Sequence, residues 1–208
     1  MPEDAAIKEA LSHVSYDTIR FGAGTSSETA LPVYNTVTLN DPQAAIDLGF
    51  IAKGYIADKL KEYLLSRGVE SACISLGGNV ITIGEKPDGS PFRIGIQEPF
   101  SADGTSIGTI DIQDLSVVTS GIYERCFYED DILYHHILDT ATGYPVENEL
   151  ASVTIICDSS TKADALSTSC LCMGLENGRQ YLDRAKVEYL LITKDGTQYP
   201  SENFPVMH

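Results

Sequence analysis

Apolar residues in this chain recur at helical spacing in a few segments and alternate at strand spacing through most of the remainder. In residues 4–14, DAAIKEALSHV, the residues Ala6, Ile7, Ala10, Leu11 and Val14 share one helical face, with Asp4 as cap or first-turn acid. The Gly-, Ser- and Thr-rich run to Leu31 predicts loop or irregular strand, residues 34–39 a strand, and Asn40-Asp41-Pro42 a turn. A strand-like entry at 45–48 leads into an amphipathic helix marked by Ile51, Tyr55, Ile56, Leu60, Tyr63 and Leu64 and stopped by Gly68. Residues 72–76 predict a short buried strand opening into Gly77-Gly78-Asn79. Period-2 alternation on both sides of Pro87-Asp88-Gly89 predicts a hairpin over 80–97. After a break at Asp103-Gly104, residues 106–121 read as one or two strands ending at Thr119-Ser120-Gly121.

A second hairpin is predicted from 124–128 and 132–138 across Glu129-Asp130-Asp131, which sends His135 and His136 to opposite faces. A turn at 140–145, a buried strand at 151–157, helices at 161–174 and 176–184, and a strand at 187–193 complete the pattern, with a tail from Gln198 to the end. Strands grouped in hairpins with helices between the groups predict an α+β fold of antiparallel sheets and packed helices, in one domain over residues 1–208.

The formal charge of −16, from 14 Lys+Arg against 30 Asp+Glu in 208 residues, argues against nucleic acid or an anionic membrane as partner. For any phosphate ligand, positive charge must then come from a metal, a helix N-terminus or a few placed cations, of which Lys53 is the first candidate. There is no long apolar run, and the opening MPEDAAIKEA lacks a signal-peptide pattern, so the chain as given is expected in the cytoplasm. Five cysteines without CxxC spacing read as reduced core residues, not as a metal site or disulfide framework.

Candidate chemistry is densest from Tyr134 to Thr168, YHHILDTATGYPVENELASVTIICDSSTKADALST. Asp164 and Thr168, four residues apart, lie on one helical face and offer a hard cation such as Mg²⁺ part of an oxygen site. The bland reading of Asp164 is a first-turn acid favoured by the helix dipole. His136 alone is more often a satisfied strand histidine than a catalyst; Asp139 nearby improves its case as a base, because a carboxylate can orient an imidazole. Gly49 and Gly54 bracket a helix start and would let a ligand approach the backbone there. No GxSxG is present, so Ser167 and Ser169 read as packed helix residues, and no GxGxxG follows a strand.

In their order along the chain, IDLGFIAKGYIADK, ISLGGN, VVTSGIYERCF, YHHILDTATGYP and ASVTIICDSSTKADALSTSCLCMG resemble the successive blocks of the ApbE family of FAD:protein FMN transferases. The resemblance covers about residues 1–195 and implies a tunnelling-fold-like α+β domain. It implies Mg²⁺ and FAD, with FMN moved to a Ser or Thr hydroxyl of an acceptor protein and AMP released; some members instead hydrolyse FAD to FMN and AMP. Asp47, Lys53 and Leu138 match positions that contact FAD, and Phe50 one that offers the metal its main-chain carbonyl. Asp164 and Thr168 match side-chain metal ligands, and Ser167 stands where some members place a further acid. His136 and Asp139 match a block whose histidine deprotonates the acceptor, while Gly77, Gly78 and Ser120 belong to the pocket wall. Many members are exported, membrane-anchored lipoproteins. Two departures stand out: Ile122 replaces a frequent polar residue, and a family N-terminal segment of roughly a hundred residues, a typical domain length, is not matched. That second departure keeps a non-catalytic, partner-binding module among the expectations.

Overall fold

An eight-residue helix, α1 (Asp4–Leu11), and an antiparallel pair, β1 (Ile19–Gly24) and β2 (Val33–Leu39), supply the regular structure of one of two compact units. The computed structural model describes residues 2–24, 33–101 and 105–208; the expected loop at 25–31 and the break at Asp103-Gly104 lie outside them. This first unit comprises Met1–Asp47 and Leu138–Tyr144. Asp4 is a first-turn acid and not the cap, and its carboxylate accepts from the Tyr144 hydroxyl at 2.5 Å. α1 stops at Leu11, short of the predicted Val14, and His13 beyond it lies 2.7 Å from Asp41.

The second unit, Leu48–Ile137 with Pro145–His208, begins with α2 (Ala52–Ser66). Seven strands follow: β3 (Ala72–Ser75), β4 (Asn79–Ile83), β5 (Phe92–Gln97), β6 (Ser106–Ile112), β7 (Ser116–Gly121), β8 (Cys126–Glu129) and β9 (Ile132–His135). After them come β10 (Leu150–Cys157), α3 (Ser160–Met173), α4 (Leu175–Ala185), β11 (Glu188–Thr193) and β12 (Gln198–Pro200). Six strands make one antiparallel sheet in the order β12-β11-β10-β7-β4-β3. Alternate residues leave its two faces: Val118, Val153, Ile155 and Leu191 join Leu166, Cys170, Leu171 and Leu182 of the helices. Val117, Ile156, Leu190 and Ile192 meet Ile96, Ile110 and Ile112 of the separate β5-β6 pair. With both faces covered, β10 is buried along nearly its whole length, its two polar residues Ser152 and Thr154 included, and Thr154 meets the Thr119 hydroxyl at 2.8 Å. The antiparallel α+β architecture is as expected. No helix among the described residues is long and apolar enough to cross a membrane.

Several expectations are corrected. The 80–97 segment is not a hairpin: its turn forms, with Gly89 at φ +78° and Asp88 accepting from Ser90, but β4 pairs with β3 and β7 while β5 pairs with β6. Local turn chemistry determined the bend, and the choice of strand partners was made by more distant chain. Residues 44–48 carry no strand. β3 is an edge strand with alternating exposure, not a buried one. Gln198, expected to open the tail, opens β12, and Phe204 and Met207 beyond it pack on the second core. Of the supposed core cysteines, Cys73, Cys126 and Cys172 are exposed, and Cys170 alone is fully buried. The 126–135 hairpin does form, turning through Asp130 and Asp131, both at positive φ as a two-residue primed turn requires.

Candidate active site

The candidate site grows from the seam between α2 and α3. Gly54 has no room for a side chain: a Cβ there would lie 2.3 Å from the Ser160 carbonyl and 2.8 Å from the Asp164 Cβ. Its expected role of admitting a ligand is therefore corrected to admitting α3. One turn on, Asp58 accepts the Ser160 and Thr161 main-chain N–H groups at 2.8 and 2.9 Å and the Ser159 and Thr161 hydroxyls at 3.0 and 2.6 Å. Burial alone would raise the Asp58 pKa, but these donors together hold it below the ordinary carboxylate value. The positive end of α3 is thus satisfied from within the protein, leaving cationic side chains or a metal to meet any ligand phosphate.

Asp164 sits where the seam is tightest. It is 2% exposed; its Oδ2 accepts the Gly54 N–H at 2.8 Å and its Oδ1 lies 4.0 Å from the Lys53 ammonium. Burial raises its pKa, and the Gly54 N–H and the Lys53 charge oppose that rise. A turn along α3, Ser167 and Thr168 converge with Ser120 of β7, whose Oγ is 2.8 Å from the Ser167 Oγ and 2.9 Å from the Thr168 Oγ1. Ser167 also donates to the Asp164 carbonyl at 3.0 Å. The Gly77-Gly78 turn adopts φ +56° and +80°, and the Gly78 carbonyl takes the N–H of Thr119, the neighbour of Ser120, at 2.9 Å. Lys53, Gly78, Ser120, Asp164, Ser167 and Thr168 are in this way linked through one hydrogen-bonded and ionic seam. Phe50 is exposed just before α2.

β9 ends at His135, short of the expected 138, so His136 stands in the bend after the strand and its different exposure is not set by strand period. His135 is buried and its Nε2 lies 3.2 Å from the Val146 carbonyl; His136 is exposed, its Nδ1 3.3 Å from the Arg125 carbonyl. Enough protein surrounds the His136 ring for desolvation to lower its pKa, partly offset by that carbonyl and reinforced by the charges of Arg125 and Lys53. Its orienting partner is therefore a main-chain carbonyl. The Asp139 carboxylate, expected in that role, accepts the Ala141 N–H at 2.8 Å in the turn of the first unit. Asp47 and Leu138 also belong to the first unit, and Leu138 is exposed.

The oxygen donors suit a hard cation. Asp164 offers a carboxylate against a positive charge, with hydroxyls on the next turn. Among the described residues no three His, Cys, Asp or Glu side chains converge, so a cation here would complete its shell with hydroxyl, carbonyl or ligand oxygens. Asp58 and the Arg125 carbonyl were not singled out from sequence. Asp58 lies in a recognisable block, but its partners are about a hundred positions away, and a main-chain acceptor leaves no side-chain signature.

The sequence profile of the ApbE family matches residues 1–191. The chain belongs to the ApbE family. A Klebsiella pneumoniae protein named FAD:protein FMN transferase is 44% identical over 161 residues, 77% of this ApbE chain and 49% of its own length. A Treponema pallidum protein of the same name is 36% identical over 184 residues, 85% of this chain and 50% of its own. The solved flavin transferase ApbE of Vibrio cholerae superimposes with a TM-score of 0.82 at 31% identity, covering 98% of this chain and 62% of that one. This ApbE chain thus spans about half the length of the curated relatives it matches.

Proposed function

We propose that this protein transfers FMN from FAD to a Thr or Ser hydroxyl of an acceptor protein, with Mg²⁺ and with release of AMP. The observation that carries the proposal is the buried Asp164 carboxylate beside Lys53, backed by the hydroxyls of Ser120, Ser167 and Thr168. The names of the relatives support the same activity. Asp164 and Thr168, with Ser167 and the Phe50 carbonyl, would hold the Mg²⁺, which when bound neutralises pyrophosphate charge. Lys53 supplies a further positive charge to the same phosphates, while Gly77, Gly78 and Ser120 are assigned to the flavin nucleotide.

In the transfer step the acceptor hydroxyl oxygen forms a bond to the phosphorus on the FMN side. The phosphorus–oxygen bond to AMP breaks, and AMP leaves as the anion. The hydroxyl proton passes to His136, which its lowered pKa keeps neutral and able to accept at neutral pH. Asp139 fixes the turn that follows the histidine strand. Incubation with FAD, Mg²⁺ and candidate acceptor proteins tests the proposal. Flavin fluorescence on an acceptor band in a denaturing gel is expected. Free FMN without an adduct would replace transfer by FAD hydrolysis, and no FAD binding by calorimetry would defeat both.

A further inference from the structure

A pocket of about 280 Å³ opens beside the histidine strand, lined by Gln97, Phe100, Ser101, Tyr123, Glu124, Cys126 and Tyr128. It is none of the residues assigned above. Cys126 pairs across the hairpin with His135, and the carbonyl of Arg125, between two pocket residues, accepts the His136 N–H at 3.1 Å. The pocket therefore stands one residue from the proposed base.

Four features describe its occupant. Its size falls below the range of roughly 300–1,000 Å³ usual for small-molecule sites, so a whole dinucleotide does not fit but an amino-acid side chain does. Phe100 is held at φ +62°, which is costly for a bulky residue, with its ring edge-on to Tyr123 at 5.7 Å. Tyr123 lines the pocket with its ring, while its hydroxyl is buried by Ser152 and Gly121, and burial, then the charge of Glu124, pushes its pKa up to about 12. Lastly, among the described residues β8 pairs only with β9 and is exposed at all four positions, with Tyr128 65% accessible, so its other edge meets no described strand. Glu124, Asp130 and Asp131 outweigh Arg125 in this stretch, which disfavours a pyrophosphate and favours a cationic peptide.

We infer that this pocket and the open edge of β8 are the docking site for the acceptor polypeptide: an extended segment adds beside β8 and seats an apolar or aromatic side chain between Phe100, Tyr123 and Tyr128. Its hydroxyl residue is then delivered toward His136. The inference rests on the transfer reading above, and its test does not depend on turnover.

Cys126 lines the pocket and serves as reporter, with exposed Cys73 as internal control. The probe is a pool of blocked eight-residue peptides, each with a central threonine, one lysine and one apolar or aromatic anchor, and a matched pool with the anchor replaced by alanine. Alkylation of each cysteine in the full chain by iodoacetamide is followed by mass spectrometry. At about ten times a peptide's dissociation constant the unoccupied fraction falls roughly tenfold, so anchored peptides are expected to slow Cys126 labelling by that factor and leave Cys73 unchanged. Alanine pools and FAD alone are expected to give no protection, and F100A to remove the protection given by anchored peptides. Equal protection by both pools, protection by FAD alone, or none from any anchored peptide would overturn the inference. Cleavage of FAD to FMN and AMP, measured in parallel with water as acceptor, reports on the transfer reading separately.

Discussion

His136 and Asp164 owe their chemistry to opposite consequences of burial. Desolvation disfavours the charged form of each, so the imidazole is held neutral and the carboxylate is held in need of a cation. For His136 the sign is direct: with a pKa below 6.5, loss of the base begins only as pH falls beneath the usual histidine range. The acid limb of the transfer rate is therefore expected below pH 6.5, and H136Q should lose about two to four orders of magnitude, the span typical of general-base catalysis. A wild-type limb at or above 6.5 would contradict the geometry. Asp164 allows a sharper separation of charge from structure. D164N retains an oxygen for the Gly54 N–H but removes the charge, so it should unfold in urea close to wild type while Mg²⁺ no longer stimulates FAD binding. D164A leaves that N–H unsatisfied and should cost about 1–3 kcal/mol of stability. Identical urea midpoints for the two variants would show that the Gly54 bond does not hold the seam.

At the scale of elements, the α2–α3 clamp was the least legible part of the site. Residues 51–68 and 161–184 announced helices by their periodicity, and β10 by its mostly apolar, β-branched stretch. Nothing local in KGYIAD says that Gly54 meets Ser160 or that Asp58 caps a helix a hundred positions later. The failed hairpin over 80–97 has the same origin, because a turn dictates direction while partner choice is a long-range competition that β6 and β7 won. The grouping of Asp164, Ser167 and Thr168 on one stretch of α3 was legible, since the three lie in one short block; the acceptor beside the His136 ring was not, because Arg125 meets it through its backbone. The clamp makes two predictions. D58A, which strips four donors of their common acceptor, should destabilise by about 0.5–2 kcal/mol as a lost cap, and G54A by about 1–3 kcal/mol as overpacking against backbone, both read by urea denaturation. Since the Asp58 pKa is lowered, its contribution is present above the unfolded value near 3.8 and fades as pH falls through the folded value beneath it. Wild type should thus lose its advantage over D58A in acid below that point, and a difference that persists undiminished at pH 2 would show that the hydrogen bonds do not depend on the charge.

Across the whole molecule, burial is divided unequally between the two compact units. The second has two apolar cores on either face of a six-stranded sheet. In the first, no described side chain is fully buried, its helix has eight residues, and its sheet has two strands. An isolated helix shorter than about 12–15 residues and a lone strand pair are both marginal in water, so neither element of that unit stabilises itself. What it does contain is polar: the His13–Asp41 contact at 2.7 Å and the Tyr144–Asp4 hydrogen bond. The His13 pKa is raised, first by the hydrogen bond to Asp41, so that contact contributes fully below the unfolded value of 6.5 and is lost as pH climbs through the higher folded value. Native-state hydrogen exchange should therefore resolve two tiers. Amides of β10 and β11 should exchange only through global unfolding, and those of α1, β1 and β2 through local opening of much lower free energy. After correction for intrinsic rates, protection of the α1 amides should fall further between pH 6 and pH 9 in wild type and stay level in H13A. Protection of α1 equal to that of β10 would mean that contacts other than these hold the first unit, and a pH-independent wild-type profile would remove His13 from the account.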